Sequence, residues 1–294
     1  MFLKYSIKFS NRQRIHSPTA LVILSTCRYR IGFMDRIFSL LTTLALSSIT
    51  GTVGAAQCAA DSGPQRVALL ELYTSEGCDS CPPADRWFSE LPGRGYNPAQ
   101  VVALAFHVDY WNYLGWTDPF SSTQYSERQK AASARNRARM VYTPQLLLNG
   151  GEYRRPTLFD DLGDRLGTLN RISAKARISL QLHAEDRSRL QVTGTATIDE
   201  TAVRDAAQAW LALYENNLSN QVTRGENRGR RLRHDFVVRD LAGPFPLDAR
   251  GEARWNRRFD LDPGWKTGDL HVAAFVQSER NGDVLQALAT PYCR

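Results

Sequence analysis

Near residue 172 the hydrophobic period of this 294-residue chain changes, and that change narrows the folds open to it. Before it, Val67–Tyr73 and Val101–Val108 are nearly continuous apolar runs, the pattern of strands covered on both faces. Between them Pro82–Leu91 opens with two prolines, tolerated in a first helical turn, and stops before Pro92-Gly93. Strand, helix and strand make a βαβ unit, whose right-handed crossover leaves the strands parallel. Ser121–Met140 reads as a Ser-capped helix and Pro144–Asn149 as a strand, with Asn149-Gly150-Gly151 as a hairpin turn and Glu152–Arg154 as the return. Thr157–Arg171 spaces four leucines helically, completing the order β-α-β-α-β-β-α. After residue 172 apolar and polar residues alternate, first in Ile178–Leu182 and Leu190–Ile198. Ala209–Tyr214, Asp235–Arg239, Arg254–Leu261, Leu270–Gln277 and Val284–Ala289 follow as further strands, separated by polar turns. Such a series predicts an antiparallel β-sandwich. Two domains are therefore expected, 57–171 and 172–294, meeting near Arg171–Ala174.

The formal net charge of +7 is unevenly placed. Residues 1–56 carry seven basic side chains against the single acid Asp35, leaving 30 basic and 29 acidic residues in 57–294. No nucleic-acid partner is expected from so balanced a body. Met34 begins a segment with Arg36, an apolar stretch from Ile37 to Ile49 and small residues ending at Ala55-Ala56, the layout of a secretory signal peptide over 34–56. Residues 1–33 then read as an over-extended N-terminus. The apolar stretch is too short to span a bilayer, so no membrane span is expected in the mature protein, and its place is periplasmic or secreted.

Outside the cytosol disulfides persist. Cys58, at the start of the mature chain, and Cys293, next to its end, are expected to be bridged, because domain termini often lie close together. Cys78-Asp79-Ser80-Cys81 follows the first strand and opens the first helix, the context in which C-x-x-C carries redox chemistry. The helix N-terminus favours a thiolate on Cys78, read as the exposed attacking thiol, with Cys81 resolving. Glu76 and Asp79 oppose that thiolate. An inert structural disulfide is the plainer reading of the same pair.

The segments TSEGCDSCPPAD, AFHVDYWNYLGWTDPFS and VYTPQLLLNG together resemble an uncharacterised family of bacterial secreted thioredoxin-like proteins, and NRGRRLRHDFVVRDL is similar to that family's C-terminal region. The resemblance implies an α/β thioredoxin-like N-terminal domain followed by an antiparallel β-sandwich-like one. It implies thiol–disulfide exchange on exported proteins through Cys78 and Cys81, with a redox partner. It also makes Thr143-Pro144 a cis peptide whose Thr143 backbone positions a bound chain. The chain departs from ordinary thioredoxins in lacking a Trp-Cys-Gly-Pro-Cys centre.

His107 and Asp109 end the second parallel strand, on the sheet edge where Cys78 is expected, and suit a proton relay to Cys81. Asp109 capping the following loop, with the neighbouring aromatics filling core, is the plainer reading. Cys78, Cys81 and His107 together also suit a copper-carrying site, and a binding module with a structural disulfide is the third alternative. Arg224, Arg228, Arg230, Arg231 and Arg233 form a dense basic loop, suited to an acidic partner, an anionic headgroup or plain solvation. No phosphate loop or cofactor motif appears, so no cofactor is expected.

Overall fold

The computed structural model describes residues 57–154, 160–200 and 206–292. The expected leader, residues 1–33 and 34–56, lies outside them. Strand β1 (Gln57–Asp61) precedes the expected βαβ unit, which is β2 (Ala68–Thr74), α1 (Pro82–Ser89) and β3 (Val101–His107). β2 and β3 are parallel and in register from Ala68↔Val101 to Thr74↔His107, and every residue of both is buried. Their two faces pack in different cores. Leu70, Leu72, Ala103 and Ala105 meet Trp87 and Phe88 of α1, with Leu162 and Leu166 of α3 (Leu162–Leu169). Leu69, Tyr73, Leu104 and Phe106 meet Tyr125 and Ala132 of α2 (Thr123–Arg135). Double coverage is why both runs are continuously apolar.

α2 starts where Ser122 Oγ accepts from Gln124 N, but ends at Arg135, short of the expected Met140. Asn136 Nδ2 donates to Ala132 O and to Gly150 O, which ties the helix end to the next turn, and Arg137 takes a left-handed φ of 53°. That turn joins β4 (Gln145–Leu148) to β5 (Gly151–Glu152). Asn149 and Gly150 both have positive φ, as a two-residue hairpin requires. Gly150 is also needed sterically, since a Cβ there would lie 1.9 Å from Gly282 O.

The second half supplies β6 (Arg177–Ala184), β7 (Arg189–Thr197), β8 (Ala207–Glu215), β9 (Leu218–Gln221), β10 (Arg231–His234), β11 (Val237–Pro246), β12 (Glu252–Asp260), β13 (Leu270–Ser278) and β14 (Val284–Pro291). A four-stranded sheet, β1-β6-β7-β12, shares a core with β8 and β13: Leu180, Leu182, Val192 and Phe259 lie against Leu211, Leu213, Val272 and Val276. β8, β11, β13 and β14, however, continue the sheet of the first half in the order β14-β13-β8-β11-β3-β2-β4-β5. The seam is parallel, through Val237↔Ala105 and a hydrogen bond from Ala105 N to Phe236 O. The halves expected as two successive domains thus share one sheet, and the described residues fall in one compact unit. Strand β11 covers an edge of β3 that would otherwise expose unpaired backbone groups. Arg128 reinforces this continuity from α2, lying over Phe106, Trp210 and Phe275 while Nε donates to Glu71.

Cys58 sits in β1 opposite Leu182 and is disulfide-bonded. Cys293, its expected partner, lies outside the described residues. Peptide mapping without reductant is expected to recover Cys58 linked to Cys293, and Cys58→Ser to cost about 2–5 kcal/mol of stability. A peptide joining Cys58 to any other cysteine contradicts the assignment. No helix among the described residues is long and apolar enough to cross a membrane.

Candidate functional site

β2 ends at Thr74, and the next seven residues turn the chain into α1. Cys78 and Cys81 close a disulfide across this loop, with Cα atoms 5.5 Å apart. Gly77 lets the loop pass close to the following segment, since a Cβ there would lie 3.0 Å from Trp111 Cβ. Cys81 is the N-cap residue of α1, and its carbonyl accepts from Ala84 N and Asp85 N. Pro82 and Pro83 occupy positions whose N–H groups need no helical partner.

Thr143-Pro144 is a cis peptide, as the resemblance implied. Thr143 O lies 3.9 Å from Cys78 Sγ, and Thr143 Oγ1 accepts from Trp111 Nε1 at 2.7 Å. The expectation of an exposed Cys78 is not met: Cys78 and Cys81 are 1% and 0% exposed. The basic loop is bonded to the backbone here. Asn227, wholly buried, donates both amide hydrogens, to Glu76 O and to Cys78 O at 2.9 and 2.8 Å. Asp79 N donates to Glu226 Oε2.

Beside the disulfide lies a polar cluster in which Glu76, Asp85, His107, Asp118 and His234 are all buried. Glu76 Oε2 accepts from Trp116 Nε1 and Asn220 Nδ2, and its Oε1 is 3.1 Å from His234 Nε2. His107 Nδ1 is 2.7 Å from Asp118 Oδ2, which also accepts from Glu76 N. The rings of His107 and His234 meet edge to face at 4.8 Å. Asp85 Oδ1 accepts from Thr74 Oγ1, while Asp85 Oδ2 and His107 Nε2 are buried with no hydrogen bond. Burial raises the Asp85 pKa against the opposing charges of His234 and His107.

Of the residues singled out from sequence, Cys78, Cys81, Thr143 and Pro144 come together, and His107 joins the buried cluster. Asp109 instead accepts from the Thr123 and Ser126 hydroxyls in the first turn of α2, which lowers its pKa. It therefore ties the preceding loop to the first turn of α2, whose N-cap is Ser122. For the copper alternative, no group of three or more His, Cys, Asp or Glu among the described residues could hold a metal ion. Glu76, Asp85, Asp118, Asn227 and His234 were missed as site residues. All five lie within the segments that carried the resemblance, and that shared membership was the available signal.

Burial alone would lower the His107 pKa, but the charge and hydrogen bond of Asp118, with the charges of Asp85 and Glu76, leave it raised. Asp118 is lowered: burial works against this, and is outweighed by the His107 charge and hydrogen bond. A histidine raised on folding stabilises the fold fully below its unfolded pKa of about 6.5, and that stability is lost as pH rises through the folded value. Asp118 contributes above about pH 4 and loses its contribution as pH falls through its lowered value. His107→Gln is thus expected to flatten the fall in stability on the alkaline side, read from urea midpoints between about pH 5 and 9. Parallel curves for variant and parent would contradict the pairing.

Residues 69–277 match the family model described as a protein of unknown function (DUF1223). Among solved structures the chain is similar to HBP35 of Porphyromonas gingivalis, at TM-score 0.58 and 16% identity over 78% of this chain and 76% of that one. It is also similar to protein AGR_C_4864 from Agrobacterium tumefaciens, at TM-score 0.50 and 26% identity over 78% of this chain and 95% of that one. No curated protein matches it.

Proposed function

We propose that this chain, which belongs to the DUF1223 family, is an exported thioredoxin-like protein that exchanges thiols and disulfides with protein substrates through Cys78 and Cys81. The observation that carries this reading is the placing of one disulfide. It lies in the loop from a parallel strand into a helix N-terminus, with the Thr143 carbonyl against Cys78 Sγ. The order β3-β2-β4-β5, with α1 and α3 on one face and α2 on the other, supports the thioredoxin-like part. The signal-peptide layout of residues 34–56 and the disulfide-bonded state of Cys58 support export.

In the reducing direction the Cys78 thiolate attacks one sulfur of a substrate disulfide, and the other sulfur leaves as a thiolate and takes up a proton. The Cys81 thiolate then attacks Cys78 Sγ, releasing the second substrate thiolate and re-forming the Cys78–Cys81 disulfide. Two electrons and two protons pass to the substrate, and an exported dithiol restores the pair by the same steps reversed. Thr143 O lies where a bound backbone N–H can donate to it.

The test is the reduction potential of the pair in the folded protein, set by glutathione buffers and read by alkylation. An exchanging pair is expected above about −300 mV, whereas inert structural disulfides fall below it. A pair that stays fully oxidised in excess reduced glutathione while the chain remains folded overturns the reading.

A further inference from the structure

The β9–β10 hairpin is the feature of the site that thiol chemistry leaves unused. On β10 the buried residues Leu232 and His234 alternate with exposed Arg231 and Arg233, and the strand packs against α1. Arg224, Arg228 and Arg230 stand exposed on the loop between the two strands. Among the described residues Arg224, Arg228, Arg231 and Arg233 have no carboxylate partner, and Arg230 donates to Asn227 Oδ1 of the same loop. Elsewhere Arg165, Arg177, Arg189 and Arg257 each pair with an aspartate.

The charge is therefore concentrated. Residues 218–234 carry a net +4, whereas the rest of 57–294 carries a net −3. Asn227 and Glu226 bind the loop to Glu76, Cys78 and Asp79, so this positive pole sits on the disulfide loop itself. The other loops there expose apolar side chains among polar ones, with Arg137 and Arg139 exposed before Met140. Tyr113 is 78% exposed between Trp111 and Trp116, and Met140, 69% exposed, leads into Thr143.

We propose that the β9–β10 hairpin is a docking face for an acidic segment of a polypeptide partner, placed to bring that partner's cysteine over the Cys78–Cys81 disulfide. The proposal rests on the thiol-exchange reading for its use, but its binding surface can be tested apart from it. A polypeptide is favoured over a lipid headgroup because one extended chain can meet the arginines, the Thr143 carbonyl and the apolar side chains of Tyr113 and Met140. Opposite charges across such a rim mainly accelerate encounter and select partners, and salt weakens both effects.

The experiment uses the full exported chain and peptides of equal length carrying one cysteine between either glutamates or lysines, plus versions with serine for cysteine. By fluorescence anisotropy at low ionic strength the glutamate–serine peptide is expected to bind about tenfold or more tightly than the lysine–serine peptide. That preference should shrink in salt and be lost in Arg228→Glu/Arg231→Glu, which brings the hairpin to net zero. With the cysteine peptides, the ratio of disulfide-opening rates should follow the same order. Equal binding of the two serine peptides, or an unchanged preference in the double variant, overturns the proposal. So does binding to phosphatidylglycerol vesicles without any preference between peptides, which assigns the face to lipid. If the glutamate–serine peptide binds but neither dithiothreitol nor a cysteine peptide opens the disulfide, the docking face stands and the exchange reading falls.

Discussion

A Cys81→Ser variant is expected to accumulate mixed disulfides with exported proteins, at least about tenfold more than Cys78→Ser. The asymmetry follows from position. Cys78 lies in the loop before α1, with Sγ facing Thr143 O and 3.3 Å from Ser80 Oγ. Cys81 is fully buried at the helix N-cap. Cys78 is therefore expected to meet an incoming sulfur first, with Cys81 one helical turn inward to resolve the adduct. Removing Cys81 leaves a nucleophile whose adduct cannot be resolved; removing Cys78 leaves a resolving thiol with nothing to resolve. The helix N-terminus favours the Cys78 thiolate, and exposed Asp79 opposes it, so Asp79→Asn should lower the Cys78 pKa and make the pair more oxidising. Adducts are to be read on non-reducing gels of whole cells. Equal adduct levels in the two cysteine variants sink the exchange mechanism and leave a binding protein with a structural disulfide.

What was legible in the sequence was local. The C-x-x-C at a strand–helix junction, the proline-started α1 and the Asn-Gly turn each lie within a dozen residues, where period and turn chemistry report directly. β1 escaped because QCAAD has no apolar alternation; its place comes from pairing with β6 more than a hundred residues away. The fusion of the halves escaped because a change of period marks a change of element type, and says nothing about whether β11 will pair with β3. Cys78 read as exposed because its loop is bonded by Asn227, 149 residues later, and His234 is 158 residues from Glu76. The basic loop was visible as charge. That it is bonded to the disulfide loop depends on a buried asparagine among arginines, a residue whose ordinary reading is a solvated turn.

The largest loss of stability at the site is expected for Glu76→Ala. Glu76 is fully buried, and every polar group it has is engaged with a different segment. Its amide donates to Asp118 and its carbonyl accepts from Asn227. Its carboxylate takes Trp116 and Asn220 on one oxygen and His234 on the other. Alanine keeps the two backbone contacts but strands three donors, the buried His234 ring and the half-buried Trp116 and Asn220. Removing one side of such a buried charged set costs about 3–5 kcal/mol. Glu76→Gln keeps one acceptor oxygen but turns an amide NH2 toward a former donor, so a smaller loss of about 1–3 kcal/mol is expected. Denaturant midpoints of the two variants measure both, and a Glu76→Ala loss below about 1 kcal/mol would show that the cluster is not what holds the loops together. A second readout separates general destabilisation from loosening of the cover. With Asn220 and His234 released, the β9–β10 hairpin keeps only the Asn227 and Glu226 bonds beside the disulfide, and a two-stranded ribbon has little stability of its own. Dithiothreitol should then open Cys78–Cys81 faster in Glu76→Ala than in the parent, even in buffer where both remain folded. The carboxylate that stabilises this corner of the fold is thus expected also to limit access to the disulfide.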